Sequence, residues 1–289
     1  MSDIDSINHV GIVARRHQIT CHRYEEMGFV LTPFSAHEGA WKPGGAVQRL
    51  GTGNRCVMFA DSFLEILGSV DEAEPAPRIR NFLARHQGAH IICFGTPDIE
   101  TVATRLAKTN IKNSGVLPLQ REVDTPEGAR TMKVKRLQFA PGETPEGYIQ
   151  VAQHLTPEYV HQPRFTRHSN GVYRLSDAMV VAANVAPVAA AYAGFLGLEP
   201  RAERFGVRFE IGTSFALRIV SLDQAVNVLP GTMFPPIPGI AGIVFRTNDL
   251  AGTERILRDR EFTVNETAGQ GILTIPAEEA GGVAVLFRP

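Results

Sequence analysis

The chain has 289 residues, 44% of them apolar, enough for a substantial core in one large domain or two of ordinary size. Lysine and arginine number 29 against 30 aspartates and glutamates, so with a net charge of -1 no global field draws in nucleic acid or an anionic membrane, and a small, roughly neutral ligand fits better. No apolar run reaches the roughly 20 residues of a membrane helix, the start Met1-Ser2-Asp3-Ile4-Asp5 is acidic, and Cys21, Cys56 and Cys93 form no CxxC pair; together these predict a cytoplasmic protein with buried, reduced thiols.

Taken in chain order, one pattern recurs four times. The first copy opens with the strand His9-Val10-Gly11-Ile12-Val13, continues into a helix over 18–27, and closes with a hairpin of Cys56-Val57-Met58-Phe59 and Phe63-Leu64-Glu65-Ile66-Leu67. The second opens at His90-Ile91-Ile92-Cys93-Phe94, has its helix over 98–108, and pairs Val134–Phe139 with Tyr148–Val151 across a Pro- and Gly-bearing loop. The third opens at Ala178–Ala182, with a helix over 186–196 and a hairpin of Val207–Ile211 and Phe215–Val220. The fourth opens at Gly242–Phe245, with a helix over 249–258 and a hairpin of Ile272–Ile275 and Val283–Phe287.

Each copy is thus a βαβββ module. One helix cannot cover both faces of four strands, so the modules pair into an α+β fold: two domains of curved mixed β-sheet, helices outside, each with a concave inner face for a ligand. Residues 156–171, with Pro157, Pro163 and Asn170-Gly171, break the repeat and read as a linker between domains 1–155 and 172–289.

Superposing the first two copies places His9 and His90 at one opening-strand position and Glu65 and Gln150 at one fourth-strand position, each polar residue set among apolar ones. Singly, such a histidine is usually a hydrogen-bonded core residue and Glu65 a rim charge. Together they predict a site, because burying unpartnered polar groups costs on the order of 2–7 kcal/mol. Two imidazoles and a carboxylate suit one divalent ion, Fe, Mn, Ni or Zn, with positions left open for substrate.

Ile7-Asn8-His9-Val10-Gly11-Ile12-Val13, Gly51–Cys56 leading to Phe63-Leu64-Glu65-Ile66-Leu67, Gly88-Ala89-His90 and Gln153–Glu158 resemble the vicinal-oxygen-chelate superfamily, the glyoxalase, bleomycin-resistance and extradiol dioxygenase group, and within it bacterial glyoxalase-like domain proteins. The resemblance implies metal ligation by His9, Glu65, His90 and Gln150. Gln150 departs from the glutamate usual in glyoxalase I, and an amide cannot take the substrate's proton. His154, four residues on, is then the candidate base or alternative ligand. In the second half the corresponding residues are Asp177, Arg218, Ala241 and Val285, which hold no metal, so that half reads as a degenerate duplicate.

Arg55 is a candidate grip for an anionic group on the substrate. Trp41, beside Lys42-Pro43-Gly44-Gly45, is a candidate flap, and His17 and His22 read as exposed. The leading functional expectation is a metal-dependent lyase or isomerase acting on a small, vicinally oxygenated molecule. The rivals are an Fe(II)-dependent dioxygenase and a metal-free small-molecule binding or resistance protein; a homodimer is possible in each case.

Overall fold

The computed structural model describes residues 2–39, 45–267 and 271–289. The first module comprises β1 (Ser6–Val13), α1 (His17–Glu26), β2 (Ser35–Gly39), β3 (Gln48–Met58) and β4 (Phe63–Ser69). A helix that the repeat does not contain, α2 (Pro77–Arg85), leads to β5 (Gly88–Gly95), α3 (Ile99–Leu106), β6 (Asn113–Thr125), β7 (Gly128–Phe139) and β8 (Tyr148–His154). After the short α4 (Pro157–Val160) come β9 (Val172–Ala182), α5 (Val185–Leu196), β10 (Arg201–Glu203), β11 (Gly206–Ile211) and β12 (Phe215–Ser221). A second extra helix, α6 (Leu222–Val228), precedes β13 (Gly239–Thr247), α7 (Leu250–Asp259), β14 (Asn265–Thr267), β15 (Ile272–Ile275) and β16 (Ala284–Arg288). Three of the module helices start at a side-chain cap, with Asp98, Asn184 and Asp249 accepting from the amides of Glu100, Ala186 and Gly252.

The four modules pair as the repeat predicts, but the two sheets differ. The first closes into a barrel in the order β1-β4-β3-β2-β6-β7-β8-β5, sealed on one side by β1 against β5 and on the other by Glu38 and Gly39 of β2 against Gln120 and Leu119 of β6. In the second sheet, ordered β10-β11-β12-β9-β13-β16-β15-β14, the terminal strands are three residues long and do not meet. Closure matters for a site, since it removes the barrel's edges and shields its interior from water.

Strands β1 and β5 are buried on both faces. Their inner side chains look into the barrel. The outer ones, Val10, Ile12, Ile92 and Phe94, join Tyr24, Val102, Tyr192 and Leu257 of the helices, and Val180 and Phe245 of the second sheet, in one continuous core. Aromatic rings tie the halves together, with Phe29 5.0 Å from Phe245 and 6.3 Å from Phe287, and Phe59 5.7 Å from Phe245.

The segment 156–171 does not hang free. His161 Nδ1 lies 2.8 Å from the Phe59 carbonyl, His168 Nε2 lies 2.9 Å from that of Met58, and Gln162 donates to the Asp124 carbonyl. His17 is buried with Nε2 2.9 Å from the Ile66 carbonyl, contrary to its expected exposure; His22 is exposed. Among the described residues no helix is long and apolar enough to cross a membrane.

Backbones from the two halves touch at Gly282, where φ is +97° and a Cβ would lie 2.3 Å from the Gln87 carbonyl oxygen and 2.8 Å from the Gly88 Cα. A left-handed conformation costs a non-glycine residue about 1–2 kcal/mol, and here the neighbouring backbone cannot step aside. Gly282→Ala is expected to lower the melting temperature by roughly 2–8 °C, taking about 2–4 °C per kcal/mol for a large domain; an unchanged melt would show that this junction has slack.

Candidate active site

The barrel encloses a cavity with about 70 Å³ open to the centres of water-sized molecules. Its floor is apolar, including Phe63, Leu67, Ile91, Met132 and Val134. Its polar groups are His9, His37, Asn54, Glu65, Gln150 and His154, with the guanidiniums of Arg78, Arg121 and Arg136 around them. Three cations against the one carboxylate of Glu65 make this an attractive site for an organic anion.

Strand pairing explains which side chains arrive. Glu65 on β4 stands beside Gly11 on β1 and opposite Cys56 on β3. Gly11 is required there, because a Cβ would lie 2.8 Å from Ile91 Cβ and 2.9 Å from Glu65 Oε2. Asn54, two residues before Cys56, shares its face and donates from Nδ2 to Glu65 Oε1 at 2.6 Å, while Arg121 on β6 donates to the Asn54 oxygen.

Glu65 is 6% exposed, and the only charged or chargeable groups within ion-pair reach among the described residues are two imidazoles: His9 Nε2 3.8 Å from Oε2 and His37 Nε2 3.7 Å from Oε1. Burial first, then Arg121 and Arg78, pushes His9 down to about 3. Burial does the same to His37, down to about 3, against the opposing pull of Glu65. Both rings are therefore neutral near neutral pH.

Their outer nitrogens are already used. His9 Nδ1 lies 2.8 Å from Asn8 Oδ1, an acceptor only, so its Nδ1–H donates there and leaves a bare Nε2 lone pair towards Glu65; His37 Nδ1 lies 3.2 Å from Thr52 Oγ1, a hydroxyl able to donate or accept. The same Asn8 oxygen accepts from His154 Nε2 at 3.2 Å, which leaves His154 Nδ1 as an acceptor that is buried and without a partner among the described residues. Burial first, then His161, His9 and Arg121, pushes His154 down to about 3. The Gln150 Oε1 atom and the Nε atoms of Arg78, Arg121 and Arg136 are likewise buried without a hydrogen bond among the described residues.

Of the residues singled out in the sequence, His9, Glu65, Gln150 and His154 come together here. His90 does not. His9 pairs with Cys93 and Gly11 with Ile91 across the β1–β5 ladder, but Ile12 then pairs with Ala89, so His90 is the unpaired residue of an irregularity and turns towards Phe82 of α2 instead of lining the cavity. Its ring stacks 3.9 Å from that of His86, with Nε2 2.9 Å from the His86 carbonyl. Arg55 is also directed outward, since it alternates with Asn54 and Cys56; it reaches the Thr32 carbonyl at 2.9 Å and Glu25 at 2.8 Å. The guanidiniums that do line the cavity are those of Arg78, Arg121 and Arg136. The flap expected around Trp41 falls largely on residues 40–44, outside the described residues.

Sequence reasoning missed His37 and the three arginines. His37 lies on a five-residue strand, and Arg78 on a helix outside the repeat. Arg136 was legible: it alternates with Val134 on β7, and both line the cavity. It donates to the Tyr148 hydroxyl at 2.8 Å, and the Arg78 guanidinium lies 4.1 Å over the Tyr148 ring.

As chemical types, two neutral imidazoles and a buried carboxylate suit a divalent cation, and each imidazole Nε2 stands 3.7–3.8 Å from the Glu65 carboxylate. Among the described residues no three His, Cys, Asp or Glu side chains are arranged as a metal site.

No curated protein sequence matches the chain. Solved structures of the same fold include a hypothetical protein from Staphylococcus aureus, with TM-score 0.65 at 12% identity, covering 99% of this chain and 100% of that one. A 4-hydroxymandelate synthase mutant from Streptomyces coelicolor gives TM-score 0.63 at 10% identity, over 99% and 92% of the two chains. The Mn(II)-bound glyoxalase from Novosphingobium aromaticivorans gives TM-score 0.56 at 9% identity, over 99% and 82%. At such identities the likeness speaks for the fold alone. The family model described as a glyoxalase-like domain matches residues 7–196, the whole barrel and the start of the second sheet, and the chain therefore belongs to the glyoxalase-like domain family of the vicinal-oxygen-chelate superfamily.

Proposed function

We propose that the barrel is the active site of a metal-dependent lyase or isomerase acting on a small, vicinally oxygenated organic anion. The observation that carries this reading is the Glu65 carboxylate, buried between the Nε2 atoms of His9 and His37 with no contacting Lys or Arg among the described residues. Those three residues would hold the ion, and an ion held there would supply Lewis acidity to adjacent substrate oxygens. A glyoxalase of the same fold carries Mn(II).

The chain's own groups divide the remaining work. Arg78, Arg121 and Arg136 bind and orient the anionic end of the substrate, and the barrel wall excludes bulk water from it. Gln150, an amide, orients by hydrogen bonding and cannot take a proton. His154 Nδ1, without a hydrogen bond among the described residues, is the nitrogen placed to accept the proton moved in the reaction. Fe(II) could occupy the same triad, but this free base beside the cavity favours proton transfer over oxygen chemistry.

Titration with Mn(II) followed by metal analysis is expected to give about one equivalent in the wild-type chain and a loss of it in His9→Ala, His37→Ala and Glu65→Gln. Gly11→Val, which drives a side chain into the Glu65 position, should lose it as well, whereas His90→Leu should retain it. Unchanged metal content in both histidine variants would defeat the assignment.

Oxalate, an anion with adjacent oxygens, serves as a substrate-like probe. Arg121→Met is expected to weaken its binding by about tenfold to a hundredfold, the equivalent of about 1.5–3 kcal/mol for a hydrogen bond to a charged group. Equal affinity in the two proteins, measured calorimetrically with Mn(II) present, would remove the arginines from the reading.

A further inference from the structure

The concave face of the second sheet carries its own charged cavity, which the barrel site does not use. Strand register places the two faces in correspondence: Met179 stands beside Arg218 as Gly11 stands beside Glu65, and Arg208 opposes Arg218 as Cys56 opposes Glu65. By the same register Asp177 takes the place of His9, Arg288 that of Ala152, and Leu286, not Val285, that of Gln150. Arg208, Arg218 and Arg288 all lie beyond the stretch that the family model matches.

These residues form one cluster. Asp177 is 1% exposed, with Arg218 Nε and Arg288 Nη2 each 3.2 Å from its carboxylate and Arg208 Nη1 at 3.8 Å. Glu203 stands 3.7 Å from Arg218 and 3.9 Å from Arg208. Three guanidiniums thus face two carboxylates. The Nε atoms of all three arginines are buried and make no hydrogen bond among the described residues, the 3.2 Å approach of Arg218 Nε being poorly aligned. Burial pushes Arg288 down, Asp177 holds it up, and Arg218, Arg246 and Arg208 add to the downward push.

Beside the cluster lies a cavity with about 280 Å³ open to the centres of water-sized molecules, against about 70 Å³ in the barrel. Arg204, Arg218, Arg288 and Asn227 line its polar part together with one carboxylate, Glu203, and Phe205, Val220, Val228, Val244, Ile272 and Leu286 are among its apolar lining. A duplicate kept only to support the fold would fill this face with apolar side chains. Burying unequal charge is costly, and a matching anion is what offsets it.

We propose that this face is a second ligand site, for an organic carboxylate with an apolar body, its head on Arg218 and Arg288 and its tail along the Phe205–Val228–Leu286 wall. A carboxylate matches the fork of a guanidinium, which accounts for arginine in place of lysine. The site is independent of any metal in the barrel.

Octanoate and octanol, titrated calorimetrically into the full chain, test this. Octanoate should bind, and octanol at least tenfold more weakly. Arg288→Met removes the head contact, and Val228→Trp fills the tail cavity from α6 without touching the charges; each should weaken octanoate at least tenfold while the thermal melt of Val228→Trp stays close to that of the wild type. Arg121→Met, in the barrel, should leave octanoate binding as it was. Should Arg288→Met fail to fold, Val228→Trp decides alone. Absence of octanoate binding, equal affinity for octanol, or wild-type affinity in Val228→Trp would each overturn the proposal.

Discussion

Sequestering the Glu65 carboxylate is the constraint on which the site depends. A charge taken out of water without a partner is unfavourable by several kcal/mol, and the molecule meets this only in part. Asn54 supplies one hydrogen bond, and Arg121 acts through Asn54 without touching the carboxylate. The two imidazoles within reach are kept neutral by their own burial. Gly11 leaves the space in which the carboxylate sits, and the surrounding barrel leaves it only 6% exposed. What results is an acceptor poised for a cation, set in a chamber whose walls attract anions.

Asn8 gives this arrangement its order. A single amide oxygen accepts from His9 and from His154, so it sets which nitrogen of each ring carries hydrogen. The His9 ring thereby turns an unprotonated Nε2 towards Glu65 and the His154 ring is left with an unprotonated Nδ1. Two rings are oriented by one side chain whose own strand position is adjacent to His9.

Much of the architecture was legible because the helices and hairpins recur with clear periodicity: α1, α3, α5 and α7 lie within two residues of their expected spans, and all four hairpins form. The error at His90 has a specific origin. Strands buried on both faces show no alternation of apolar and polar residues, so nothing in Gly88–Gly95 signals that the β1–β5 ladder skips His90 between Ile91 and Ala89 and leaves it out of the alternation. Arg55 failed on parity, since Asn54 and Cys56 on either side of it take the Glu65 face. His37 and Arg78 were hidden because they lie on elements outside the repeat's clearest portion, brought to the cavity by closure of the barrel. The second half was read as empty because its residues cannot bind a metal; that it gathers arginines around Asp177 follows only from register across β9, β11, β12 and β16.

The aromatic seam of Phe29, Phe59, Phe245 and Phe287 has a consequence for how the chain can be divided. Severing it between β8 and β9 would follow the boundary of the sheets and yet cut through shared interior, leaving each fragment with a sticky, water-facing patch of rings. Neither fragment would be a self-sufficient folding unit, so the duplication that is modular in its strand plan is indivisible in its thermodynamics. A loss of packing in either half is then felt as a loss of stability by both.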